Sequence, residues 1–144
     1  MATWLLLHYK LPAAPTARRV YIWRKLQRLG AVLLNDAVWI LPANSRTREQ
    51  FQWLASEITE LRGEALLWQA QLLQGAQEDA LMRQFTTRAE QEYQKILSAL
   101  HRNQRDLVTL SRRFQQAQLK DYFQSPLGDQ VRETLVSARE GVMR

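Results

Sequence analysis

The chain of 144 residues contains no cysteine, only two histidines and, before Glu49, a single acidic residue, Asp36. Each shortage excludes something. Without cysteine there is no thiol nucleophile, no disulfide framework and no cysteine-based zinc site. That fits a reducing compartment, and a cytoplasmic protein is expected. His8 and His101 stand far apart without a His-x-x-x-His spacing, so no metal site is expected. One early carboxylate leaves paired-carboxylate acid–base chemistry without a partner. Phosphate loops, nucleophile elbows and dinucleotide fingerprints are missing as well. No catalytic residue, no cofactor and no enzyme activity are expected. No apolar run reaches the length of about 20 residues that a membrane span needs, and the run after Met1 is too short for a signal peptide. A soluble protein with no membrane partner is expected.

What is present is positive charge and apolar patterning. Lys and Arg total 20 against 14 Asp and Glu, a net charge of +6, and 46% of residues are hydrophobic. This length suits one domain, or one domain plus a helical extension, with a core that needs neither metal nor disulfide. Lys10, Arg18, Arg19, Arg24, Lys25, Arg28, Arg46 and Arg48 all precede Glu49. The second half mixes both signs, as solvated helices do. A basic first third suggests a polyanionic partner, nucleic acid first.

Thr3 to Lys10 reads as a strand with apolar residues on both faces, stopped by Pro12 and Pro15. Pro15 and Thr16 open a helix that Gly30 ends near Leu29. Its inner stripe is Ile22, Trp23, Leu26 and Leu29, and its outer one Tyr21, Arg24, Lys25 and Arg28. Ala31–Leu34 and Ala37–Leu41 form two strands about an Asn35-Asp36 turn. Asn44, Ser45 or Thr47 caps the next helix, with Thr47-x-x-Gln50 matching a capping box. Phe51, Leu54, Ala55, Ile58 and Leu61 make its buried stripe, Gly63 its end. Trp53 falls off that stripe, either as a partner contact or packed under a neighbouring loop. Glu64 to Leu73 reads as a fourth strand.

The order β-α-β-β-α-β predicts an α+β domain over residues 1–75. It is a ferredoxin-like four-stranded antiparallel sheet with two helices on one face. Residues 76–144 form a helical extension, one long helix or a hairpin broken between His101 and Arg105, then a short last helix. Its heptad-like seam is Ile96, Leu100, Asn103, Leu107, Leu110, Phe114 and Ala117, with Asn103 setting register.

Two basic sites follow. With the first and third strands as parallel neighbours, each feeding a helix from its C-terminal end, Lys10, Arg18, Arg19, Arg46 and Arg48 gather along one edge. Four of these arginines sit where the helix dipole opposes cations, which suggests a bound anion. The competing reading has them splayed into solvent or paired with Asp121 or Glu140. The second site is the outer stripe of the first helix. Arg24, Lys25 and Arg28, with Arg18 and Arg19 at its start, would run along a DNA backbone. A plain solvated face is its alternative. Arg112, Arg113 and Lys120 make a weaker patch.

The segments WLLLHYKLP, ARRVYIWRKLQRLGAVLLNDAVWILP and TREQFQWLASEI resemble the N-terminal domain of the ChrB family, regulators that accompany bacterial chromate-resistance operons. The similarity continues more weakly through GEALLW to LKDYFQSP. The arrangement is similar to Cas2-like domains and to the dimerising domain of PaaX-type repressors. The Cas2-like nucleases carry an aspartate at the end of the first strand. His8-Tyr9-Lys10 stands there instead, so the resemblance implies no nuclease. It implies a cytoplasmic, homodimeric DNA-binding regulator that recognises the promoter of a chromate-resistance operon and responds to chromate. An interaction module and an oxyanion sensor that binds no DNA are the other readings.

Overall fold

An apolar run that supplies both faces builds β1 (Trp4–Lys10), the central ribbon of the first unit. The computed structural model describes residues 2–102 and 106–143. It divides into two compact units, Met1–Glu78 and Asp79–Arg144.

In the first unit β1 leads to α1 (Thr16–Leu29), which ends where Gly30 takes a left-handed φ of 75° and donates its N–H to the Gln27 and Leu26 carbonyls. β2 (Val32–Leu34) and β3 (Val38–Pro42) follow. Asn35 and Asp36 both have positive φ, 50° and 56°, and the Ala37 N–H closes on the Leu34 carbonyl. That is a mirror-image two-residue hairpin turn, whose twist matches the strands it joins. α2 (Ser45–Glu60) and β4 (Glu64–Ala70) complete the unit. The capping box lies three residues before the expected Thr47-x-x-Gln50, on Asn44, one of the three candidate caps. Asn44, not Thr47, is the N-cap, and its side chain accepts from the Thr47 N–H while the Thr47 hydroxyl accepts from the Asn44 N–H. Thr47 therefore sits at the third helical position and is buried.

The end of α2 also differs. Arg62, with φ 67°, takes the left-handed position, and Gly63 serves a different purpose. A Cβ there would stand 2.5 Å from the Lys10 carbonyl oxygen and 2.8 Å from Ile58 and Leu11 side-chain atoms. Gly63 lets α2 turn tightly against the end of β1. Gly63→Ala is expected to cost about 1–3 kcal/mol, as overpacking against backbone does. A lowered urea midpoint with an unchanged slope would show it.

The sheet order is β2-β3-β1-β4, and every neighbouring pair is antiparallel. The chain is thus α+β with a four-stranded antiparallel sheet. Register puts Leu5, Leu7 and Tyr9 on one face with Trp39, Leu41 and Leu67. Tyr9 interacts with Trp39 and with Arg19 of α1, so this face lies under the helices. Its core is Leu5, Leu7, Trp39 and Leu41 below Ile22, Leu26, Phe51, Leu54 and Ile58, all buried. Trp23, expected on the inner stripe, is half exposed instead. At 100° per residue it falls next to Ile22 but beyond the arc that α1 lays on the sheet.

The second unit follows the start of α3 (Gly75–His101) and adds α4 (Leu107–Lys120) and α5 (Pro126–Met143). Asn103 and most of the segment expected to carry the break, residues 103–105, lie outside the described residues. α3 and α4 run antiparallel: Phe85 meets the rings of Tyr122 and Phe123, and further along α3 Tyr93 meets Phe114. The expected seam residues Ile96, Leu110, Phe114 and Ala117 close a core with Ala89, Tyr93, Val131 and Leu135.

Tyr93 anchors this core. Its hydroxyl donates to Asp121 Oδ2 at 2.8 Å, and the Ser125 N–H donates to the same carboxylate at 3.0 Å. Burial pushes the Tyr93 pKa well above the usual tyrosine range, and the hydrogen bond to Asp121 pushes it further. The folded chain therefore holds this proton more tightly than the unfolded chain, where tyrosine titrates near pH 10. The resulting stability is complete below about pH 10 and disappears as the pH climbs towards the folded value. Tyr93→Phe is expected to cost about 1–2 kcal/mol at neutral pH and to flatten the alkaline decline of stability. Urea titrations at several pH values would read both effects.

Candidate functional site

Helix α1 places the basic residues, and its sequence explains how. The first turn has no acid and Pro15 gives no side-chain cap. The dipole therefore leaves Arg18 and Arg19 in unfavourable positive potential. The antiparallel neighbour answers part of it. Arg18 Nη1 donates to the Leu61 carbonyl at 3.4 Å, and Leu61 is the C-cap of α2. A helix C-terminus carries the negative end of its dipole. One of the arginines taken as a sign of a bound anion is thus met by a protein group. Arg19 is exposed and faces Tyr9. Burial raises the Tyr9 pKa, while the Trp39 indole N–H and the Arg19 charge offset part of that rise.

The five-residue anion edge does not assemble. β1 and β3 are antiparallel, with Trp4 opposite Pro42 and Leu7 opposite Trp39, so their C-terminal ends point to opposite ends of the sheet. Lys10, Arg18 and Arg19 stand at one end. Arg46 and Arg48, in the first turn of α2, stand at the other, where the Ala43 N–H reaches the Thr3 carbonyl. β1 is seven residues long, which separates the two groups by roughly 20 Å. Arg48 donates to Gln69 of β4. Asp121, a candidate partner for these arginines, is engaged by Tyr93 and Ser125.

The outer stripe of α1 does assemble, with one member diverted. Lys25 Nζ contacts Glu57 Oε1 of α2 at 2.8 Å and Oε2 at 3.1 Å, and lies 4.7 Å from the centre of the Tyr21 ring. The Glu57 hydrogen bond is the main reason its pKa is raised, with Tyr21 adding to it. Lys25 is thereby a strut between the helices rather than an unengaged cation. Sequence reasoning missed Glu57, because the meeting of residues 25 and 57 depends on how the two helices pack. Two grooves flank Tyr21. One of about 550 Å³ is lined by Ala17, Arg18, Tyr21, Glu57, Glu60 and Leu61, and its carboxylates disfavour an anion. The other, about 340 Å³, is lined by Ala17, Val20, Tyr21, Arg24, Lys25 and Arg28, with no carboxylate. Arg24 and Arg28 are exposed on it, one helical turn apart. Trp53 on α2 is 61% exposed and Trp23 on α1 50%.

Among the described residues no group of three or more His, Asp or Glu side chains could hold a metal ion. No helix among them is long and apolar enough to cross a membrane.

An antiparallel α+β unit with a basic, carboxylate-free helix face, followed by a unit of packed helices, defines the class of protein. Residues 19–125 match the family model described as Protein ChrB, N-terminal. The chain belongs to that family. Protein ChrB of Cupriavidus metallidurans is 32% identical to it over 75 residues, covering 52% of this chain and 23% of the relative. The match thus spans less than a quarter of the relative's length. No solved structure matches the chain.

Proposed function

We propose that this protein is a DNA-binding transcriptional regulator of chromate resistance, acting as a cytoplasmic homodimer and not as an enzyme. The observation that carries this reading is the groove of Tyr21, Arg24 and Arg28 on α1. Its rim is cationic and holds no carboxylate, which suits phosphate oxygens. Family membership supports the link to chromate. The strand order, read from the other edge as β4-β1-β3-β2, supports a ferredoxin-like split βαβ arrangement. In this reading Arg24 and Arg28 contact the backbone and Arg18 and Arg19 extend the track past the start of α1, while Lys25 holds the helix in place through Glu57. A chromate dianion would compete for the same guanidinium groups, at the end of the sheet that gathers Lys10, Arg18 and Arg19.

The test is fluorescence anisotropy with duplex DNA from upstream of the gene against a scrambled duplex, at two salt concentrations, with and without chromate. Tight binding to the native duplex, weakened by salt and released by chromate, is the expected result. Equal weak binding to both duplexes, or binding that salt leaves unchanged, would overturn it.

A further inference from the structure

We propose that the outer edge of β4 pairs antiparallel with the same edge of a second copy of this chain, centred on Leu67. Two four-stranded sheets then join into one of eight strands. This inference names the surface behind the homodimer part of the proposed function and does not depend on its DNA part.

Three observations carry it. The first is the edge itself. An outer strand presents a row of backbone N–H and C=O groups, and protein edges are ordinarily blunted by shortness, charge, proline or a bulge. The opposite edge, β2, is only three residues long. β4 has seven, and from Ala65 to Gln77 the sequence holds neither a charged residue nor a proline. Two copies of a chain with a net charge of +6 repel wherever basic surfaces meet. Along this stretch they meet without that repulsion.

The second observation is self-complementarity. Register against β1 puts Leu66 and Trp68 on the same face of β4, and each is 55% exposed. With the twofold axis at Leu67, Leu66 lies across from the partner's Trp68, and Trp68 across from the partner's Leu66. A large and a medium apolar side chain then cover each other twice, as a contact between identical patches requires.

The third is charge. Glu64, the one charged residue of β4, comes opposite the partner's Ala70. Glu64 shares its face with Leu66 and Trp68, and the two copies of Glu64 stand at opposite ends of the paired strands, so no like charges meet across the axis. The twofold axis stands perpendicular to the sheet, so both helical layers, and both α1 faces, end on one side of the joined sheet. That arrangement fits a duplex with twofold symmetry.

The experiment is analytical ultracentrifugation of the full chain, with cysteine cross-linking as the positional readout. The wild type is expected to be a dimer at tens of micromolar, and Trp68→Lys a monomer with an unchanged far-UV circular dichroism spectrum. Because the chain lacks cysteine, single cysteines report position. Leu67→Cys is expected to give a covalent dimer on mild oxidation. Leu73→Cys, at a strongly exposed position but far from its own copy across the axis, is expected to give almost none. A dimeric wild type that cross-links equally at both cysteines, or at neither, would overturn this surface and leave the homodimer standing. A monomeric wild type would remove both, whatever the DNA measurements show.

Discussion

Changing Arg24 and Arg28 together to alanine is expected to weaken binding to every duplex alike and to lower the slope of log affinity against log salt by about 2, one for each phosphate left without its arginine. The two side chains line the groove that has no carboxylate, so their charge is available to an external anion. Lys25→Ala is expected to behave differently. Its ammonium is bound by Glu57 and rests over Tyr21, so its removal should disturb the spacing of α1 and α2 more than the salt slope. Comparing the slopes of the two variants, each checked for folding by its thermal transition, separates a contact residue from a strut. A double variant that keeps the wild-type slope would place the DNA contact off α1 altogether.

Trp4→Ala is expected to have the largest effect on stability. Trp4 is fully buried at the start of the central strand. Its indole N–H donates to Glu78 Oε1 at 3.2 Å, and the Ala2 N–H donates to the same oxygen at 2.9 Å. Emptying that volume costs about 3–5 kcal/mol, a large part of the roughly 5–15 kcal/mol that holds a domain folded. Trp4→Phe keeps most of the apolar volume and loses the indole donor, so it should cost only about 1 kcal/mol. Equilibrium urea unfolding of both variants gives the comparison. Equal losses would mean that the hydrogen bond, and not the packing, makes Trp4 important.

The local elements were legible because their signals are local. Pro15 and Gly30 bracket α1, since proline, here the extended N-cap, suits a helix start and glycine takes the left-handed φ that ends one. Asn35 and Asp36 tolerate the positive φ of a mirror-image turn, and the hairpin forms around them. Where several residues could fill one role, sequence alone did not decide between them. Asn44 won the cap from Thr47 because its side chain reaches the N–H three residues on, while the Thr47 hydroxyl turned inward to the Pro42 carbonyl. Arg62 took the left-handed turn expected of Gly63, while Gly63 fills a place beside Lys10 and Leu11 that admits no Cβ.

The candidate site was legible as a list of cations and not as an arrangement. The 3.6-residue period alone puts Arg24 and Arg28 on the outer stripe of α1, because both belong to one helix and share its geometry. Relations between elements depend on strand direction and helix packing, which periodicity does not encode. The antiparallel pairing of β1 with β3 sends Arg46 and Arg48 to the end of the sheet away from Lys10, Arg18 and Arg19. The packing of α1 beside α2 gives Arg18 the Leu61 carbonyl and Lys25 the Glu57 carboxylate. Sequence determined the strands, the helices and the total charge of this protein, since those follow from residues a few positions apart. Only the tertiary structure decided which charges stand together and which are already answered, since that depends on residues as distant along the chain as Arg18 and Leu61.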